Sequence, residues 1–264
     1  MSWVLWLNDL PLWTAALVII GGTIALSIIG TAVSGLFFGE QVLSLNNVVG
    51  GFKYMFVAGI YAGFLGFLLL GVYNRYDKVR AAIIDEVNEL TTLDRLAIAF
   101  PAATTATLRN GVKQYAQDVV TVEWPQLRDR NPDPIAMTAF DTLERVYAAV
   151  EPTTRKQQVV IKQSRRILSA IRDKRGMRVL RSFGALQVLL WVVTGIGTAV
   201  GIVLPWALGS PNVNATMLMS ILATLLMASI VLVILKLSYP FSGSSGLLPA
   251  PYTAFIAEVS ARGG

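Results

Sequence analysis

KYMFVAGIYAGFLGFLLLGVYNR, from Lys53 to Arg75, decides the architecture of this chain. The 21 residues from Tyr54 to Asn74 carry no charge, and as helix they cover about 31 Å, the thickness of a bilayer's hydrocarbon core. Lys53, Phe56, Ile60, Phe64, Phe67 and Gly71 recur at steps of three and four and share one helix face. Gly59, Ala62, Gly63 and Gly66 form a small-residue stripe beside them. In the plainer reading the aromatic stripe meets lipid and the glycines admit another helix at close range. In the sharper one the aromatic stripe lines a pore.

The rest of the chain has the composition of such a span. Of 264 residues 54% are hydrophobic and 14% charged, and the mean hydropathy is +0.59, which is too apolar for a soluble domain of this size. The expectation is an integral membrane protein. The sequence has no cysteine and no histidine, which excludes disulfide frameworks, thiol chemistry, zinc sites and every imidazole triad. Between residues 74 and 181 lie 19 of the 22 Lys and Arg and 13 of the 16 Asp and Glu, so that segment carries the whole excess of +6. Arg75, Lys78 and Arg80 follow one span, and Arg172, Lys174, Arg175, Arg178 and Arg181 precede the next. That is the pattern of cytoplasmic flanks, so the basic balance points to a membrane and not to nucleic acid.

Upstream of the opening stretch, Trp3, Trp6 and Trp13 mark a short interfacial segment without the basic start of a signal peptide. Leu12 to Phe38 is expected to be span one, with Gly21, Gly22, Gly30 and Gly35 as places of close helix contact. Glu40 to Asn47 reads as a short polar turn before span two. Beyond Arg75 the apolar positions Val79, Ile83, Val87, Leu90, Leu93 and Ala97 keep helical spacing, with Asp77, Glu86, Glu89 and Asp94 assigned to other faces. Span two is thus expected to project out of the membrane until Pro101 ends or kinks it.

Helices are then expected over Thr104 to Thr121 and Ile135 to Val150, with a proline-bearing loop at Pro125, Pro132 and Pro134 between them. Glu151-Pro152-Thr153 reads as the first turn of a long helix carrying Arg165 and Arg166. Ser182 to Leu235 is uncharged but broken by Pro205, Gly209, Pro211, Asn212 and Asn214, giving span three at Phe183 to Leu208 and span four at Ala215 to Leu235. Lys236 then reads as a lysine that reaches the headgroups. The Gly, Ser and Pro-rich tail is not a fifth span.

The expected divisions are therefore 1–74 for the interfacial segment and spans one and two, 75–181 for a cytoplasmic helical domain, 182–238 for spans three and four, and 239–264 for a cytoplasmic tail. The fold class is an all-α membrane protein of four transmembrane helices, with a cytoplasmic helical bundle built on extensions of spans two and three. Both termini are expected in the cytoplasm.

The spans hold no Asp or Glu, so they lack the carboxylate relay of proton-coupled pumps. Asp129, Asn131 and Asp133 imitate the opening of a calcium loop, but Pro134 replaces the required glycine and Phe140 the required glutamate, which leaves a turn. Ser242 to Gly246 also reads as a turn, since no lysine follows in phosphate-loop position. Arg165 and Arg166 either line an anion vestibule, face solvent or pair with acids such as Glu86. Trp124 beside Pro125 reads as a core anchor. No residues cluster as a catalytic, cofactor or metal site, so an enzyme is not expected. A four-helix protomer has no room for a wide aqueous path, and conduction would require a cyclic homo-oligomer.

Four blocks carry a resemblance over most of the chain: FKYMFVAGIYAGFLGFLLLGVYNRYDKVRAAIIDEVNEL at Phe52 to Leu90, YAQDVVTVEWPQL at Tyr115 to Leu127, SRRILSAI at Ser164 to Ile171, and YPFSGSSGLLP at Tyr239 to Pro249. Their order and spacing resemble the bestrophin-like membrane proteins. The sequence departs from that pattern in lacking a proline just before span three, where Gly176 and Gly184 stand nearby, and in its proline-rich loop at 125–134.

The resemblance implies a bestrophin-like ring, a pentamer by preference, with span two at the axis as in bestrophin anion channels. It places a hydrophobic neck on Phe56, Ile60, Phe64 and Phe67, with Lys53 at the outer mouth and Gly59, Gly63 and Gly66 packing neighbouring helices. The implied function is passive conduction of small ions, chloride or another anion, in a bacterial inner membrane, with lipid and the permeant ion as partners. The rival is a non-conducting scaffold or sensor whose cytoplasmic bundle binds a partner. The acidic clasp of calcium-gated bestrophins has no counterpart here.

Overall fold

The computed structural model describes residues 2–45, 47–130, 137–208 and 212–262. Eleven α-helices and no strand occur among them. Four helical stretches are long and apolar enough to cross a membrane: Leu12–Phe37, Asn47–Ala99, Val188–Ala207 and Asn214–Ser238. The chain divides into two compact units, one of residues 1–74, 184–239 and 243–245, the other of 75–183, 240–242 and 246–264.

In the first unit the short helices α1 (Ser2–Asp9) and α2 (Leu12–Ala16) lead through one π-helical turn, Leu17–Gly21, into α3 (Gly22–Leu45). Residues 40 to 45, expected in a polar turn, thus extend the first span as helix. Helix α4 (Asn47–Leu96) is one uninterrupted 50-residue helix whose first half belongs to this unit. Span three is α9 (Val188–Val203), ended by Pro205 in a tight turn, and span four is α10 (Val213–Ser238), whose first turn is capped by the Asn212 side chain accepting from Ala215 N at 3.2 Å.

Small and hydroxyl-bearing residues hold these spans together, since lipid tails are as apolar as leucine and supply no hydrophobic drive between helices. Helix α10 packs along α3, and Ser27, Thr31 and Ser34 of α3 and Ser220 and Thr224 of α10 are all buried. Thr31 and Ser34 donate to backbone carbonyls of their own helix at 2.8 and 3.0 Å, so their hydroxyls need no partner from lipid. Gly30 takes the Trp206 indole, 2.0 Å from where a Cβ would stand, whereas Gly21, Gly22 and Gly35, expected to make similar contacts, have nothing within 4 Å. Gly197 takes the Tyr61 ring at 2.1 Å, and the Tyr61 hydroxyl lies 2.8 Å from Thr194 O and 2.7 Å from Thr198 Oγ1, fastening α4 to α9.

The second unit opens with the remainder of α4. A 3-10 turn at Ala97–Ala99 and Pro101 end it, as the proline predicts, and α5 (Ala102–Asp118) follows. One π-helical turn, Val119–Glu123, joins α5 to α6 (Trp124–Arg128), so Pro125 sits in a first helical turn and not in the expected loop. Helix α7 is Met137–Ala148; Asn131 and Asp133 lie outside the described residues.

Helix α8 (Arg155–Leu180) starts after Thr154, not at Pro152. Thr154 accepts from Gln157 N at 3.2 Å while the Gln157 side chain reaches back to the Thr154 amide, a reciprocal cap. A non-helical stretch, 181–187, separates α8 from span three, so the two are successive helices where α4 is a single one. The tail ends in α11 (Ala250–Arg262), whose Tyr252, Phe255 and Val259 enter the same core as Leu90, Leu93, Leu108, Leu127, Leu143 and Ile171.

Candidate functional site

Along α4 the chain leaves a broad apolar face uncovered. Phe56, Ile60 and Phe67 are 70%, 61% and 79% exposed, and Lys53 is exposed with them. On the opposite side Leu65, Leu68 and Val72 are buried against Val4, Trp191, Ile234 and Leu235. Phe64 differs from its three companions. It is half-buried and stacks on Tyr61 with ring centroids 6.1 Å apart, at the flank of the exposed face. Gly59, Gly63 and Gly66 also lie open, with nothing within 4 Å of an added Cβ, so they pack no helix of their own unit. Phenylalanine and glycine stripes thus share one uncovered side of the helix.

The expected positions of several charges change. Glu86 and Asp94, assigned to faces other than the apolar stripe, are 0% and 1% exposed. Glu86 does not meet Arg165 or Arg166. Its partner is Arg178, Nη2 to Oε1 at 3.4 Å, and Tyr115 Oη donates to the same Oε1 at 2.6 Å. Arg178 also donates to Glu123 Oε1 at 2.6 Å and to the Tyr252 hydroxyl, while Arg175 Nε reaches Glu123 Oε2 at 2.9 Å. Two guanidinium groups and two carboxylates therefore balance in the interior, tying α4, the π-helical turn after α5, α8 and α11 into one network.

Trp124, the expected anchor, closes one side of this network. Its indole packs edge-on to Phe241 and Tyr252, and its Nε1 donates to Leu247 O at 3.2 Å. Burial alone would lower the Arg178 pKa, but Glu86 and Glu123 overcome it and hold the guanidinium charged. Burial pushes the Tyr115 and Tyr252 hydroxyls well above the ordinary tyrosine range. Sequence reasoning missed this network, although Glu86 falls on the stripe Ile83, Leu90 and Leu93 at steps of three and four, where a charge must be buried and paired.

Lys236 does not reach for headgroups. Its residue is 5% exposed, and Nζ donates to the carbonyls of Leu7, Asn8 and Leu10 at 3.4, 2.8 and 2.8 Å, capping the C-terminal end of α1. The turn after span four completes that contact. Gly243 has φ +77°, and a Cβ there would meet Asn8 O at 2.3 Å, so both conformation and space demand glycine.

Arg165 and Arg166 are exposed and line one open groove with Pro152, Gln158, Ile161, Lys162 and Ser169. No cluster of potential metal ligands occurs among the described residues.

A model of the Bestrophin-like domain matches residues 21–252. Comparison with curated protein sequences finds no match. Among solved structures, the chain is similar to two variants of a bacterial bestrophin homolog from Klebsiella pneumoniae. One aligns at TM-score 0.75 and 14% identity over 93% of this chain and 99% of that one. The other aligns at 0.74 and 15% over 91% and 99%.

Proposed function

From the premise that the chain belongs to the Bestrophin-like family and is an integral membrane protein, we propose that it assembles as a cyclic homo-oligomer, passive and non-enzymatic, that conducts small anions along an axis lined by α4. The observation that carries this reading is the uncovered face of α4. Phe56, Ile60 and Phe67 stand exposed on one side of a helix whose opposite side buries Leu65, Leu68 and Val72. Repeated around an axis they form a hydrophobic constriction that gates by dewetting, with Phe64 at its flank.

Lys53 lies on the same face at the outer end, where one cation per subunit raises the local anion concentration. Gly59, Gly63 and Gly66 let the helix of a neighbouring subunit approach. Arg165 and Arg166 belong to the cytoplasmic vestibule. Resemblance to the family favours a pentamer in an inner membrane, and the basic segment between spans two and three favours cytoplasmic termini.

Anion flux into liposomes reconstituted with the purified chain tests the proposal, with the subunit count read from a projection of the detergent particle. The expected results are a ring with a central hole, flux above that of empty liposomes, and faster flux in Phe67→Ala. A solid or lipid-filled axis with no flux in either protein would leave the scaffold reading standing.

A further inference from the structure

The cations of α8 fall into two groups. In its C-terminal half Arg172, Lys174, Arg175 and Arg178 each meet a carboxylate: Glu144, Asp85, Glu123, and Glu86 with Glu123. In its N-terminal half Arg155, Lys156, Lys162, Arg165 and Arg166 meet none among the described residues. The only acid on the helix, Asp173, lies in the paired half. Three of the unpaired cations are gathered in one place. Lys162, Arg165 and Arg166 stand at steps of three and four, neighbours on one helix face, and line an open groove of about 670 Å³. That size lies within the range of small-molecule sites.

We propose that this groove binds a small, soluble oxyanion bearing at least two negative charges, of the phosphate-ester or pyrophosphate class. Adjacent guanidinium forks match the oxygens of such a group and make paired hydrogen bonds to it, which a monatomic halide cannot accept in the same way. Gln158 and Ser169 add an amide and a hydroxyl at the same groove, and Pro152 and Ile161 give it an apolar floor. The site is built from one protomer's residues and does not depend on whether the axis conducts.

Calorimetric titration of the full chain in detergent at low salt, with pyrophosphate as probe, tests this independently of any flux measurement. Saturable binding is expected, weakened about tenfold or more in the Arg165→Gln/Arg166→Gln variant. It should change less than about twofold in Arg155→Gln/Lys156→Gln, whose positions carry equal charge but do not line the groove. The Arg165→Lys/Arg166→Lys variant keeps the charge without the forks and should fall between. No saturable heat with the unaltered chain, or equal loss in both glutamine variants, would overturn the proposal. Repeating the titration in phosphatidylcholine nanodiscs with and without phosphatidic acid separates the sources of the group. Unchanged affinity is expected for a soluble ligand, and displacement by the lipid would assign the groove to a headgroup and defeat the soluble form of the proposal.

Discussion

Arg178 Nη2 lies 2.6 Å from Glu123 Oε1 with both residues buried, and the same nitrogen stands 3.4 Å from Glu86 Oε1. A buried ion network contributes little net stability when intact, because desolvation offsets the attraction, but removing one member strands the others. Arg178→Met should therefore destabilise the second unit by about 3–5 kcal/mol, with Glu86 left as a buried carboxylate without a cation and Glu123 held by Arg175 alone. Thermal unfolding of the detergent-solubilised protein measures this. A melting temperature equal to that of the unaltered chain would show that the network bears no such strain.

Alkaline pH should act on the same place. Burial raises the folded-state pKa of Tyr115 and Tyr252 well above the ordinary value of 10.0, and burial also raises that of Tyr147. For a group raised on folding, the contribution to stability is complete below the unfolded pKa and is lost as pH rises towards the folded one. Stability of the second unit should hold up to about pH 10 and decline above it, since the unfolded tyrosines ionise first. In Tyr252→Phe the decline should be shallower. Equal slopes in the two proteins would remove Tyr252 from the alkaline transition.

Two glycines on opposite elements of the first unit separate packing within a protomer from packing between protomers. Gly197→Ala pushes a methyl into the Tyr61 ring, 2.1 Å away, and should cost about 1–3 kcal/mol through overpacking. Gly63→Ala meets nothing within 4 Å in its own chain. It should leave the protomer's fold intact while weakening assembly. Paired circular dichroism melts and size-exclusion profiles report the two effects separately. A Gly63→Ala protein with the unaltered oligomer size and unaltered resistance to dissociation would place that glycine against lipid.

Lys236 holds three carbonyls of the N-terminal segment. Lys236→Met keeps the stem and removes the donors, each charged hydrogen bond contributing about 1.5–3 kcal/mol. Hydrogen exchange should rise over residues 2–10, with little change over α11. Uniform exchange in both proteins would mean that apolar packing alone, with Val4 fully buried, seats α1.

Near the N-terminal end of α4, Lys53 is exposed beside the phenylalanine stripe. Reversing its charge should lower the anion-to-cation permeability ratio. Reversal potentials of reconstituted Lys53→Glu under a salt gradient measure that ratio, and a potential identical to that of the unaltered protein would move Lys53 away from the ion path.

The four spans, the break at Pro205, the basic segment between spans two and three and the end of α4 near Pro101 were all legible in the linear chain. Each follows from a local property: an uncharged run long enough for a bilayer, or a proline that cannot continue a helix. Trp124 as a core anchor was legible for the same reason, since a large ring beside a proline within an amphipathic segment has few other places to go. The stripe Phe56, Ile60 and Phe67 was legible as a face, because helical spacing fixes which residues lie together.

Tertiary structure decided what those faces meet. Periodicity could not tell that Phe64 leans on Tyr61, or that Gly30 and Gly197 receive rings while Gly59, Gly63 and Gly66 stand open. Nor could it pair Arg178 with Glu86, 92 positions away, or carry Lys236 back to Leu7, Asn8 and Leu10. A buried charge is tolerable only where a partner from another element arrives to neutralise it. The sequence by itself thus determined that this is a membrane protein of four spans whose second helix continues well past its apolar run, while the break between α8 and span three, expected to be one extended helix, was decided by the structure. Only long-range packing determined which of its charges are interior, because that depends on the chain meeting itself.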